Sequence, residues 1–184
     1  MPGIGVYVHI PYCRSKCRYC SFVSTVNLSS PRQYVEALKR EIAAFRCGET
    51  AATVYIGGGT PFALEAQELE DVLKAVAPLR TNGCEYTVEA GRPDTFTREK
   101  LDVCRKYGVT RICINAQSFS DATLARIGRK HTAQAVRDAF ALAAPYGFSV
   151  NCDLIAGLTD ESYEEFCASV DEAIALAPDN ITVH

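Results

Sequence analysis

The chain has 184 residues, enough for one domain with a real buried core. Hydrophobic residues make up 48% and charged residues 22%, an ordinary globular balance that excludes disorder and collagen-like repeats. No apolar run reaches the length of a membrane span, no signal-peptide pattern opens the chain, and a net charge of -3 argues against coating nucleic acid.

Strand-like and helix-like patterns alternate along the chain. Apolar, β-branched runs predict strands over residues 4–10, 53–56, 86–90, 111–116, 148–155 and 180–184. After the first strand, Val35, Leu38, Ile42 and Phe45 recur at helical spacing on one face. Ser30 before Pro31, with Gln33 at the third helical position, reads as a capping box. A second helix carries Leu69, Val72, Leu73 and Val76. A third starts near Thr97, carries Leu101 and Cys104 and ends at Gly108, a natural left-handed cap. A fourth runs from about Thr132 past Val136 and Phe140 to Gly147, and a fifth carries Phe166, Val170 and Ile174.

Repeated strand–helix–strand units imply right-handed crossovers and a parallel sheet, either a barrel or an open doubly wound sheet. The last predicted strand has no helix after it. The expectation is one core domain over residues 1–184, with a C-terminal helix and an accessory domain lying beyond it.

Nine cysteines are too many to ignore, and their number is odd. Without an export signal, a disulfide scaffold is a poor reading; metal binding in a reducing cytoplasm is a better one. Cys13, Cys17 and Cys20 form CRSKCRYC, spaced CxxxCxxC, just after the first strand. Three thiols among Arg14, Lys16 and Arg18 cannot all be core. Zinc would want a fourth closing ligand. An iron–sulfur cubane held by three thiolates leaves one iron open for a small ligand, and nearby positive charge favours the thiolates. The remaining cysteines, at 47, 84, 104, 113, 152 and 167, read mostly as small buried hydrophobes.

In parallel α/β folds ligands gather at the carboxyl ends of the strands. Standing there are the cysteine loop, Gly57-Gly58-Gly59-Thr60-Pro61, Glu89 followed by Gly91-Arg92-Pro93-Asp94, Asn115 with Gln117 and Ser118, Asp153, and His184. The three glycines allow close backbone approach to a ligand, or simply make a turn. Glu89 and Asp153 lie in apolar runs, where a carboxylate needs a salt bridge or a cationic ligand group. Gln117 and Arg129, taken alone, read as a polar pair and a solvated helix charge. Tyr7 shares a strand side with His9, so its ring points into a site or packs a barrel.

CxxxCxxC after a first strand resembles the radical S-adenosylmethionine enzymes. More fully, the chain resembles the oxygen-independent coproporphyrinogen III oxidase family through YVHIPYC, CRYCSF, VYIGGGTP, TVEAGRPD, INAQSFSDATLARIGRKH and NCDLIAGL. The resemblance implies an α/β partial TIM-type barrel of six strand–helix units, cut at the sixth strand. It implies a [4Fe-4S] cluster on Cys13, Cys17 and Cys20. S-adenosylmethionine would be lined by Tyr7, Gly58, Glu89, Gln117, Arg129 and Asp153, with Tyr19, Gly59 and Thr60 beside them. Tyr7 and Glu89 would be the catalytic residues.

The implied reaction is hydrogen abstraction from a propionate of coproporphyrinogen III by a 5′-deoxyadenosyl radical, fed by a reducing electron donor. Loss of carbon dioxide and an electron leaves a vinyl group, and two rounds give protoporphyrinogen IX. Arg14, Lys16, Arg18, Arg129 and Lys130 could meet the substrate carboxylates or be solvated loop charge. The sequence departs from the family's decarboxylases at Phe22, where they carry a further cysteine two residues after the third ligand. That form also occurs in related chaperones that bind haem, the alternative reading. GRPD, in place of a commoner Asn-Pro or Asp-Pro turn, points back to a dehydrogenase-like subgroup.

Overall fold

The computed structural model describes residues 3–45 and 50–184. Six strands, β1 (Ile4–Ile10), β2 (Ala51–Gly58), β3 (Arg80–Gly91), β4 (Arg111–Gln117), β5 (Ser149–Leu154) and β6 (Asn180–Val183), form one sheet in sequential order. Every neighbouring pair is parallel. Strand order never reverses, so the sheet is singly wound and curves as a partial barrel. The doubly wound alternative falls, because it requires a reversal of strand order.

Helices α1 (Pro31–Ala44), α2 (Ala66–Val76), α3 (Arg98–Lys106), α5 (Ala133–Ala143) and α6 (Tyr163–Ala175) supply the crossovers. Between β4 and α5 lies a further short helix, α4 (Asp121–Arg126), which periodicity does not predict. Six residues give too few turns for an apolar stripe; Ser120 starts the helix by accepting from the Thr123 amide.

Alternation along the strands divides the sheet into two faces. Val8, Ile10, Val54, Ile56, Tyr86, Val88, Ile112 and Ile114 point outward and are buried under the helices. Leu69, Val72, Leu73 and Val76 of α2 are all fully buried against that face, as their spacing predicts. A smaller cluster joins β4 and β5 to α5 and α6 through Val136, Phe140, Cys152 and Leu154.

Several local expectations need correcting. Ser30 makes no side-chain cap on α1, although Pro31 does open the helix. Instead its carbonyl accepts from the Tyr12 hydroxyl and the Tyr34 amide. The capping boxes are Glu65 with Glu68 on α2 and Ser162 with Glu165 on α6. Phe45 lies past the end of α1 and is exposed, and Ile174 on α6 is exposed as well. β3 begins six residues earlier than residue 86, since Asn82 and Gly83 are turn-forming types that hide the strand pattern. Gly108 and Gly147 take the left-handed conformations expected after their helices. Cys104 and Cys152 are core residues, and burial pushes both thiols up to about 12. Cys47 lies outside the described residues.

Candidate active site

A cleft of about 540 Å³ opens at the carboxyl ends of the strands. All twelve residues nominated from sequence line it: Tyr7, Cys13, Cys17, Tyr19, Cys20, Gly58, Gly59, Thr60, Glu89, Gln117, Arg129 and Asp153. Asn115, Arg92, Phe22 and His184 join them.

The cysteine loop leaves β1 at Pro11 and is braced from several sides. The Cys13 amide donates to Thr25 O at 2.9 Å, and the Thr25 amide returns to Pro11 O at 2.7 Å. The Arg18 amide donates to Ile127 O at 2.9 Å, tying the loop to the end of α4. Lys16 Nζ reaches Phe22 O at 2.8 Å and Ser24 Oγ at 2.9 Å, so it is committed to polar groups of its own loop. Cys13 is buried with Sγ 3.6 Å from Thr60 Oγ1, while Cys17 and Cys20 are half-buried, and all three are free thiols. Cys17 Sγ accepts from Arg92 Nη2 at 3.0 Å.

Among the described residues no three His, Cys, Asp or Glu side chains converge on a single metal-ion position. Cysteines that each hold a different iron of a cubane have no need to converge on one point. Three free thiols on one braced loop, with a cation against one sulfur, fit the ligand set of a cluster held by three cysteines.

The glycine loop is shaped first by its protein neighbours. A Cβ on Gly59 would stand 2.6 Å from Tyr12 O, and one on Gly57 would stand 2.5 Å from the Tyr55 ring. Gly58, at φ 110°, would press a Cβ to 2.5 Å from the His9 ring. The run is thus needed to pack the loop between β1 and β2, whatever else it touches. The Gly59 and Thr60 amides are held by Ile10 O and Tyr12 O, each at 2.7 Å.

Glu89 projects from β3 into the cleft with no cation beside it. It accepts from Asn115 Nδ2 at 2.9 Å and Tyr55 OH at 3.5 Å, so the salt-bridge reading is not met among the described residues. Burial, then the nearby Asp153 charge, pushes the Glu89 carboxyl above its ordinary range. Asp153 is also raised, mainly by burial, although Asn151 Nδ2 donates to it and His184 stands 4.0 Å away. Two costly carboxyls facing one cleft suit a cationic ligand group.

Gln117 ends β4 at φ 69°, an uncommon backbone for a side chain of this size. It is buried, and its Oε1 has no partner. Arg129 is 7% exposed in the loop after α4, which corrects its reading as a solvated helix charge. Its Nε donates to the Tyr19 hydroxyl at 3.3 Å, and burial pushes that hydroxyl up to about 12. Tyr7 is 55% exposed and stacks on Tyr55 with ring centroids 6.1 Å apart, so it does not fill a packed barrel interior.

Three residues escaped the sequence reading. Arg92 stood in a quoted motif without a role. Tyr55 sits unmarked in an apolar strand pattern, and the inner-face position of Cys113 has no signal beyond alternation. Cys113 is buried as its reading requires, on the inner side of the sheet near Glu89 and Asp153, and burial followed by the Asp153 charge pushes its thiol up to about 12. The alternation of β2 and β4 carried enough information to place the last two on the inner face.

Residues 7–173 match the Radical SAM superfamily. The chain is 36% identical over 202 residues to the oxygen-independent coproporphyrinogen-III oxidase-like protein HemZ of Bacillus subtilis (strain 168), covering 98% of this chain and 38% of that protein. It is 37% identical over 191 residues to the heme chaperone HemW of Escherichia coli (strain K12), covering 99% of this chain and 50% of the relative. Coproporphyrinogen III oxidase (HemN) from Escherichia coli superposes with a TM-score of 0.89 at 27% identity, over 97% of this chain and 43% of that one. The chain spans half or less of the length of these relatives.

Proposed function

The chain belongs to the Radical SAM superfamily, among relatives of coproporphyrinogen III oxidase and of haem chaperones, and on that premise we propose that it is a haem-handling protein built around a [4Fe-4S] cluster and S-adenosylmethionine. Cys13, Cys17 and Cys20 hold the cluster in this reading. Glu89 and Asp153 hold the cofactor's positive groups, while Arg129 and Gln117 meet its carboxylate. Tyr7, Tyr19, Gly58, Gly59 and Thr60 shape the walls. When bound, the cluster supplies single electrons, which it takes from a reducing donor. The protein's own part is to bind, orient and keep water away.

The observation that carries the chaperone choice is Phe22. It lines the cleft two residues after Cys20 with 64% of its surface open. An exposed phenyl ring there offers an apolar face to a planar macrocycle and lacks the thiol found in the family's decarboxylases. The HemW relative at 37% identity supports the same choice.

A second reading, oxidative decarboxylation of coproporphyrinogen III, is favoured by the 0.89 superposition on HemN and by the HemZ relative. Under either, free thiols call for a reducing compartment, the cytoplasm. No helix of the described residues is long and apolar enough to cross a membrane. The relatives' greater length leaves room for the accessory domain that would cover the cleft.

The test is anaerobic reconstitution of the full-length protein, followed by two assays. Haem retained near one per chain after gel filtration, with no carbon dioxide released from coproporphyrinogen III, supports the chaperone reading. Carbon dioxide release with cleavage of S-adenosylmethionine replaces it by the oxidase. Zinc in place of iron on elemental analysis overturns both.

A further inference from the structure

We propose that Arg92 is a positioning residue that holds the Cys17 sulfur and raises the reduction potential of the cluster, an inference that rests on the cluster reading above. Arg92 is 3% exposed, at the end of β3. Its Nη2 donates to Ser15 O at 2.9 Å and to Cys17 Sγ at 3.0 Å. Nη1 is buried and has no partner, and no carboxylate among the described residues pairs with this guanidinium. A buried cation without an anion is costly. The negative charge missing from its surroundings is what cysteine thiolates supply.

The turn that presents Arg92 is built for the purpose. Gly91 at φ 75° takes the chain through a left-handed step. Pro93 then restricts Arg92 to the extended backbone it adopts, φ -86° and ψ 125°. The Thr95 hydroxyl and amide both donate to Arg92 O, at 2.7 and 2.9 Å. The guanidinium thus reaches the cysteine loop from a fixed base.

The electrostatics follow from charge counting. A cubane core of +2 with three cysteinates carries -1, and one electron from a reductant brings it to -2. A fixed positive charge beside one ligand favours the more negative state and raises the potential. Hydrogen bonds to cluster sulfurs act in the same direction. Lysine would keep the charge but lose the planar guanidinium that aims Nη2 at both Ser15 O and Cys17 Sγ.

The experiment is an anaerobic redox titration of the reconstituted protein with dithionite, read by electron paramagnetic resonance of the reduced cluster. Wild type, Arg92→Met and Arg92→Lys are compared, with iron and sulfide content and circular dichroism alongside. In Arg92→Met the ratio of reduced to oxidised cluster at a fixed potential should fall at least tenfold, about 59 mV for one electron. Arg92→Lys should recover part of that fall, with iron content unchanged.

A potential unmoved in Arg92→Met at full iron content overturns the proposal. Loss of iron from both variants with the fold intact also overturns it, since Arg92 would then only brace the loop. Absence of iron from wild type overturns the cluster reading itself, and this inference with it.

Discussion

The two faces of the sheet are made by the same strands and do opposite work. Outward, Val8, Ile10, Val54, Ile56, Val88, Ile112 and Ile114 are almost wholly buried under helices. Inward, one residue along, stand Tyr7, His9, Tyr55, Glu89, Asn115, Asn151 and Asp153, which are polar or aromatic. Exposed rings and buried carboxyls with raised pKa values are what a packed core avoids. In a closed barrel, layers of apolar side chains fill the interior. Six strands leave the interior open, and the chain has filled it with chemistry instead. The outer face specifies the fold, and the inner face draws on the stability so gained.

The largest effect should come at the mouth of the inner face. Cys17→Ala should abolish cluster formation on anaerobic reconstitution, measured as iron and sulfide per chain, while circular dichroism of the apoprotein stays native. Full iron content in that variant would remove Cys17 from the ligand set. The matching outward test is Ile112→Ala. Ile112 is fully buried between Val88 and Val150 in the sheet register. Its truncation should cost about 2–5 kcal/mol in urea unfolding. A cost under about 1 kcal/mol would mean that the outer face is not what holds the fold.

Glu89→Gln sharpens the contrast because it should reverse the usual sign. Burial raises the Glu89 carboxyl in the folded state above its unfolded value near 4.3. Its contribution to stability is thus present in full below that unfolded value and is lost as pH rises through the raised folded value. Glutamine keeps an acceptor for Asn115 and carries no charge. The variant should match wild type near pH 4 and become the more stable of the two as pH climbs towards 8, by an amount on the order of 1 kcal/mol. Parallel stability curves across that range would show that the carboxyl costs nothing where it stands.

Much of this division was readable in advance, because alternation is local and strong. The outward β-branched residues mark five of the six strands closely, and the strand-end rule collects the cysteine loop, the glycine run, Glu89, Gln117 and Asp153 in one cleft, whereas Tyr7 and Arg129 enter through the family resemblance. Patterns that depend on distant partners were not readable. Arg92 meets Cys17 across 75 positions of sequence, and nothing in GRPD says what its guanidinium will touch. The glycine triplet was visible, yet its tightest neighbours are His9, Tyr55 and the Tyr12 carbonyl rather than open ligand space. The cap at Ser30 failed because the backbone turns to φ -141°, ψ 35° and the hydroxyl makes no bond to the helix. Arg129 reads as solvated, yet its buried guanidinium meets Tyr19 across 110 positions of sequence.

The smallest effect on folding, and the finest test of the contrast, is Tyr7→Phe. The hydroxyl of Tyr7 stands 3.1 Å from His9 Nδ1, and the ring stacks on Tyr55 with planes 22° apart. Phenylalanine keeps the stack and loses only a half-exposed hydrogen bond, whose atoms water can satisfy. Unfolding stability should therefore stay within about 0.5 kcal/mol of wild type. If Tyr7 belongs to the cofactor wall, S-adenosylmethionine should bind the reconstituted variant several-fold more weakly by calorimetry. The split between the two measurements is the point. A residue that served the core would lose stability first, whereas one that serves the cleft loses affinity with the fold untouched. A stability loss above about 1 kcal/mol with unchanged affinity would move Tyr7 to the structural side.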